Sequence, residues 1–154
     1  ILTRDWSSDV CSSDLSDRRF ADIGELAAAS APLPVTGQQR PFTVVASRSH
    51  LSDETRAFID ALRTSHPAMA MMSRGSSLKM CMVAEGLADV YPRFAPTMEW
   101  DTAAGHAIAT AAGCEVVRAD DGTPLAYNKP DLHNPWFIVR RKDGHATTPY
   151  AHEL

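Results

Sequence analysis

The sequence predicts an α/β fold in which helices are layered on a sheet, and three observations carry that prediction. Short β-branched or apolar runs alternate with stretches of helical period. Clusters of Gly, Pro and Asp separate them. With 154 residues and 44% hydrophobic content, the chain has enough apolar material for one ordinary core.

The elements follow in order. Residues 42–47 (FTVVAS) read as a buried strand. Residues 52–63 read as a helix: Ser52 is a suitable N-cap, Asp53 and Glu54 favour the first turn, and Ala57, Phe58, Ala61 and Leu62 share a face. Residues 68–73 (AMAMMS) predict a second strand, and 76–87 a second helix with Met80, Val83, Ala84 and Leu87 at helical spacing. A third strand is expected over 89–94, then a small-residue helix over 101–112, stopped by Gly113. Residues 114–119 and 124–127 flank Asp120-Asp121-Gly122, a hairpin signal. Residues 136–140 supply a last strand, and the polar end, 142–154, reads as a frayed tail. Before the first strand, residues 16–41 are polar or alanine-rich and then carry Pro32, Pro34 and Gly37, so they read as a connector.

Composition excludes several classes of function. Basic residues are scattered and the formal charge is -4, which leaves no electrostatic footprint for a nucleic acid polymer. No run approaches the roughly 20 apolar residues of a membrane span. Cys11, Cys81 and Cys114 form neither a C-x-x-C pair nor an even disulfide framework, as expected of a soluble protein in the reducing cytoplasm. His66, His106, His133, His145 and His152 lack zinc-ligand spacing and read as surface or packing residues. A serine-hydrolase triad of Ser47 or Ser76 with His50 and Asp101 has no G-x-S-x-G elbow to support it.

The first fifteen residues stand apart. Residues 5–15, DWSSDVCSSDL, have no strand or helix period and resemble, residue for residue, the translation of a common sequencing adapter. Residues 1–15 are therefore expected to be foreign to the natural protein and to pack against nothing. Three of the 19 acidic residues, Asp5, Asp9 and Asp14, lie within residues 5–15 and none of the 15 basic ones does, so most of the net negative charge is carried by those eleven residues.

Three motifs carry chemistry. GSSLK at 75–79 follows a predicted strand and opens a predicted helix, where free N–H groups and the positive end of the dipole attract a phosphate. Gly75 would admit close backbone approach, Ser76 and Ser77 can donate to phosphate oxygens, and Lys79 can add charge; the same pattern also suits ordinary capping. Asp101, in WDTAAGHA at 100–107, is a hard oxygen ligand of the kind Mg²⁺ favours, or else an N-cap accepting from the N–H of Ala103 or Ala104. SRSH at 47–50 leaves a strand with a hydroxyl, a guanidinium and an imidazole suited to an anionic nucleotide, although a polar loop looks the same. All three lie at strand ends or helix starts, which predicts one shared rim of the sheet.

In this order and spacing SRSH, GSSLK, VAEGLADVYPRF and WDTAAGHA, with the closing Pro124-Leu125, Tyr127 and Asn134-Pro135, resemble the C-terminal half of CysQ-type 3'(2'),5'-bisphosphate nucleotidases. These are phosphoric monoester hydrolases of the inositol monophosphatase-like superfamily. The resemblance covers about residues 41–139 and implies that 42–141 form the C-terminal lobe of that fold, left incomplete. It implies Mg²⁺ as cofactor and 3'-phosphoadenosine 5'-phosphate as the small-molecule partner, hydrolysed at its 3'-phosphate. By motif, Asp101 would ligate metal and lie against substrate, Ser47 and His50 would contact the nucleotide, and Gly75 and Lys79, with Ser76 and Ser77, would line its pocket. A family member also has a first lobe with a metal-binding Glu and an Asp-Pro-Leu-Asp-Gly-Thr-like stretch, and neither occurs here. Asp120-Asp121-Gly122-Thr123 imitates its end but falls where the family has a hairpin turn. The chain by itself is therefore expected to be inactive, needing that lobe. Inositol or sugar phosphate phosphatases of the same superfamily, and a non-catalytic nucleotide-binding lobe, are the alternatives.

Overall fold

The structure, a computed structural model, describes residues 19–34, 39–47 and 51–142. The expectations for residues 1–15, for His50 and for the tail beyond Lys142 lie outside the described residues. The chain divides after Ala31 into two compact units.

Among the described residues the first unit contains one helix, α1 (Ile23–Ala29), where the sequence suggested only connector. The Asp22 carboxylate accepts from the Glu25 N–H at 2.9 Å and the Glu25 carboxylate accepts from the Ala21 N–H at 2.7 Å. One orphan donor of the first turn, the Glu25 N–H, thus finds a partner, and so does the Ala21 N–H just ahead of the cap. The signal was legible as Asp followed three residues later by Glu, and the prolines downstream obscured it.

The second unit is a five-stranded sheet between helices. Its elements are β1 (Thr43–Ala46), α2 (Asp53–Ser65), β2 (Ala70–Ser73), α3 (Leu78–Glu85), β3 (Val90–Arg93), α4 (Glu99–Ala111), β4 (Cys114–Arg118) and β5 (Phe137–Arg141). Strand order is β2-β1-β3-β5-β4. β1 pairs in parallel with β2 and β3, while β5 runs antiparallel to both β3 and β4. Every residue of β1 is buried, as expected of an apolar strand covered on both faces.

Strand alternation sorts the core into two layers. On one face Val45, Tyr91, Val116, Phe137 and Val139 meet Met80 and Val83 of α3 and Ala109 of α4. On the other, Val44, Ala46, Val90, Val117 and Ile138 meet Phe58, Ile59 and Leu62 of α2. The buried face of α2 is Thr55, Phe58, Ile59 and Leu62, so the predicted face is rotated. Ala57 is exposed, because a methyl group buries far less area than the Ile59 side chain that replaces it. Ser52 caps α2 as expected, its hydroxyl accepting from the Thr55 N–H at 3.2 Å.

The ends of the remaining elements differ from the sequence expectation in instructive ways. α3 is shorter than residues 76–87, because Gly86 takes φ 84° and closes it with an N–H bond to the Val83 carbonyl at 3.1 Å. α4 begins two residues before Asp101 and ends just before Ala112, with Gly113 at φ 79°. Residues 124–127 form no strand; Pro124 makes a single bridge to Val117, and β4 takes its full ladder from β5 instead. The turn itself is as expected: the Asp121 carboxylate accepts from the Thr123 N–H at 2.9 Å and Gly122 has φ 71°. Among the described residues no helix is long and apolar enough to cross a membrane.

Candidate functional site

Because β1, β2 and β3 are parallel, their C-terminal ends share one edge of the sheet, and the antiparallel β5 brings its first residue, Phe137, to the same edge. An open cleft of about 330 Å³ lies there. Ser47 reaches it from the end of β1, Ser76, Ser77, Lys79 and Met80 from the β2–α3 loop and α3, Tyr91 and Arg93 from β3, and Asp101 and Thr102 from the first turn of α4. Five of the seven residues singled out in the sequence, Ser47, Ser76, Ser77, Lys79 and Asp101, therefore share one cavity. Gly75 is not among its lining residues, although it is exposed and a Cβ added to it would meet no protein atom.

The β2–α3 loop owes its shape to Lys79. This side chain is buried, and its ammonium donates to the Ser76 carbonyl at 2.8 Å and the Arg74 carbonyl at 3.1 Å, with the Tyr91 ring 5.2 Å away. Ser76 has φ 48°, a left-handed conformation that costs a non-glycine residue free energy and persists only when neighbours hold it. Lys79 is such a neighbour. Burial, reinforced by the Arg93 guanidinium, brings its pKa down from 10.5 to about 8. Ser77 immediately precedes α3 but makes no capping hydrogen bond, so the serine pair is not consumed by ordinary capping.

Asp101 occupies the third position of α4, where its Oδ2 accepts from the Met98 N–H at 2.8 Å. This replaces the expected bond to Ala103 or Ala104, and it follows from the earlier helix start. The start itself is held from outside. Glu99, buried, accepts from the Asn128 N–H at 2.6 Å and from the Lys129 ammonium, which holds its carboxyl below the ordinary range. Asn134 donates through Nδ2 to the Met98 carbonyl at 2.8 Å, and its own N–H bonds the Thr97 carbonyl at 2.8 Å.

Arg93 was missed as a site residue in the sequence. It lines the cleft, its guanidinium donates to the Pro96 carbonyl at 3.2 Å, and its Nε is buried with no partner among the described residues. The available signal was alternation: two residues beyond Tyr91 on a strand, Arg93 must face the same side. Asp101 is the one carboxylate among the lining residues, and among the described residues no group of three His, Cys, Asp or Glu side chains could hold a metal ion. The cleft thus sets the hydroxyls of Ser76 and Ser77 and the cationic side chains of Lys79 and Arg93 beside a single carboxylate, Asp101.

The 3'(2'),5'-bisphosphate nucleotidase CysQ of Escherichia coli (strain K12) is 48% identical over 101 residues, which are 65% of this chain and 39% of that protein. Its counterpart in Salmonella typhimurium is 56% identical over the same coverage. The chain thus spans about two fifths of the length of these relatives. The crystal structure of CysQ from Bacteroides thetaiotaomicron, a bacterial member of the inositol monophosphatase family, superposes with a TM-score of 0.75 at 54% identity, covering 80% of this chain and 46% of that one. Inositol monophosphatase II from Staphylococcus aureus, at 16% identity and a TM-score of 0.62, shares the fold and covers 81% of this chain and 46% of that one. The pattern of the inositol monophosphatase family extends over residues 24–154, and the layered sheet is the one its solved members have, so the chain belongs to the inositol monophosphatase family.

Proposed function

We propose that this chain is the nucleotide-binding part of a Mg²⁺-dependent 3'(2'),5'-bisphosphate nucleotidase, acting in the cytoplasm on 3'-phosphoadenosine 5'-phosphate and releasing its 3'-phosphate. The observation that carries the reading is the meeting of the uncapped Ser76-Ser77 loop, two cations and Asp101 in one cleft. The likeness to CysQ nucleotidases supports the choice of substrate over an inositol or sugar phosphate.

In this reading the Ser76 and Ser77 hydroxyls and the N–H groups opening α3 bind a phosphate, Arg93 supplies charge, and Lys79 shapes the loop while adding to the positive field. Ser47, and His50 beyond it, contact the nucleotide, and Gly75 leaves the loop open to the ligand. The donor set fits Mg²⁺ in kind, since Asp101 and the nearby hydroxyls are hard oxygens, but it offers one carboxylate where the ion prefers several oxygen ligands and keeps waters. Asp101 would be one ligand, and a preceding lobe would supply the others. When bound, the ion polarises the phosphate and lowers the pKa of the attacking water.

The chain on its own then binds nucleotide weakly and turns nothing over, while a parent that includes the first lobe is active. The test measures phosphate release from 3'-phosphoadenosine 5'-phosphate by this chain and by a full-length relative, together with nucleotide binding by calorimetry. Absence of any nucleotide binding to this chain would refute the reading.

A further inference from the structure

Thr102 lines the cleft one residue beyond Asp101, and its hydroxyl is engaged on three sides. Oγ1 donates to the Glu99 carbonyl at 3.2 Å and accepts from the Tyr127 hydroxyl at 3.2 Å and from Asn134 Nδ2 at 3.0 Å. One proton and two lone pairs are all that a hydroxyl possesses. The Asn134 amide cannot be turned round, because the same Nδ2 faces the Met98 carbonyl, which can only accept. That orientation leaves Asn134 Oδ1 buried without a partner among the described residues, so it is imposed by Met98 and Thr102 rather than chosen by the oxygen.

The proton order propagates outward from there. Tyr127 has one hydroxyl proton and gives it to Thr102, so toward His106, whose Nδ1 lies 2.9 Å away, the Tyr127 oxygen must accept. His106 must therefore carry its proton on Nδ1. It sits on α4 one turn beyond Thr102, outside the residues that line the cleft.

We infer that His106 is a positioning residue: held with its proton on Nδ1, it orders Tyr127 and Thr102, and together with Asn134 it locks the first turn of α4 that brings Asp101 to the cleft. Residues 127–134 act as a strap across that turn, fastened at Glu99 by Asn128 and Lys129, at Met98 and Thr102 by Asn134, and at His106 by Tyr127. The importance of this lock rests on the reading of Asp101 as a site residue. The proton order does not.

The first measurement is ¹⁵N NMR of the imidazoles in the whole chain at a pH where His106 is neutral. His106 is expected with Nδ1 protonated and Nε2 bare, and Tyr127→Phe, which removes the acceptor, should shift it toward the opposite form. An Nε2-protonated His106 in the unaltered chain, or no response to Tyr127→Phe, overturns the proton order. The second measurement is hydrogen exchange at the Met98 amide, the donor to Asp101. His106→Leu should accelerate it about fivefold, the net worth of one hydrogen bond, whereas His106→Asn, which keeps an N–H donor near the Nδ1 position, should restore protection. Equal acceleration in both variants, or acceleration shared by the β1 amides, would mean that His106 serves general stability only. Neither measurement needs nucleotide or metal, so this inference can fail while the nucleotide reading stands, and the reverse.

Discussion

Gly105 packs so tightly against Met80 that a Cβ added to it would stand 2.9 Å from the Met80 sulfur and 3.2 Å from its Cβ. This contact sets how closely α4 approaches α3, and with it the distance between the two elements that contribute Asp101 and Lys79 to the cleft.

Gly105→Ala tests that contact through two opposed effects. Alanine in a helix interior is favoured over glycine by about 1 kcal/mol, while overpacking a filled core costs about 1–3 kcal/mol. Because the clash involves the Met80 Cβ as well as its flexible sulfur, the net expectation is destabilisation by about 1 kcal/mol, rising with Gly105→Val. Urea denaturation of the two variants measures it, and a stabilised Gly105→Ala chain would show that Met80 moves aside freely.

Two serines at helix starts should respond differently to alanine. Ser52 caps α2, so Ser52→Ala is expected to lower stability by about 1 kcal/mol. Ser77 makes no capping bond, so Ser77→Ala should leave stability within about 0.5 kcal/mol and instead weaken nucleotide binding. Thermal unfolding paired with calorimetric titration separates the two roles.

Asp101→Asn should fold normally, because Asp101 is exposed and an asparagine oxygen can still accept from the Met98 N–H. On the proposed reading, a full-length relative carrying the corresponding change should lose turnover by several orders of magnitude, since the ion that this carboxylate would help to hold would activate the attacking water. Loss of folding in the variant, seen by circular dichroism, would instead make Asp101 structural.

Lys79 gives the cleft a pH dependence whose sign follows from its lowered pKa. As pH rises through about 8 its charge disappears, so binding of adenosine 3',5'-bisphosphate should weaken between pH 7 and 9.5. Folding responds in the opposite direction. Between about 8 and 10.5 the unfolded chain holds the extra proton, so stability rises with pH over that window. Titrations with Lys79→Met as the control, in which both trends should flatten, decide the matter.

The order of strands and helices, the caps at Ser52 and Gly113 and the turn at Asp121 were legible in the sequence, because each is fixed by residues within a few positions of one another. The order and spacing of SRSH, GSSLK and WDTAAGHA pointed to the family for the same reason: each motif is a local strand-to-loop or loop-to-helix junction. What the sequence left open depends on partners far along the chain. The committed ammonium of Lys79, the entry of Arg93 into the cleft and the Asn134 clamp on Met98 all depend on which strands pair and which helix covers which face. The failure of residues 124–127 to form a strand has the same origin, since β4 finds a longer ladder in β5. Local periodicity decides what each segment is, whereas convergence of side chains on one rim is decided by three parallel strands ending at the same edge, and only the folded sheet brings those ends together.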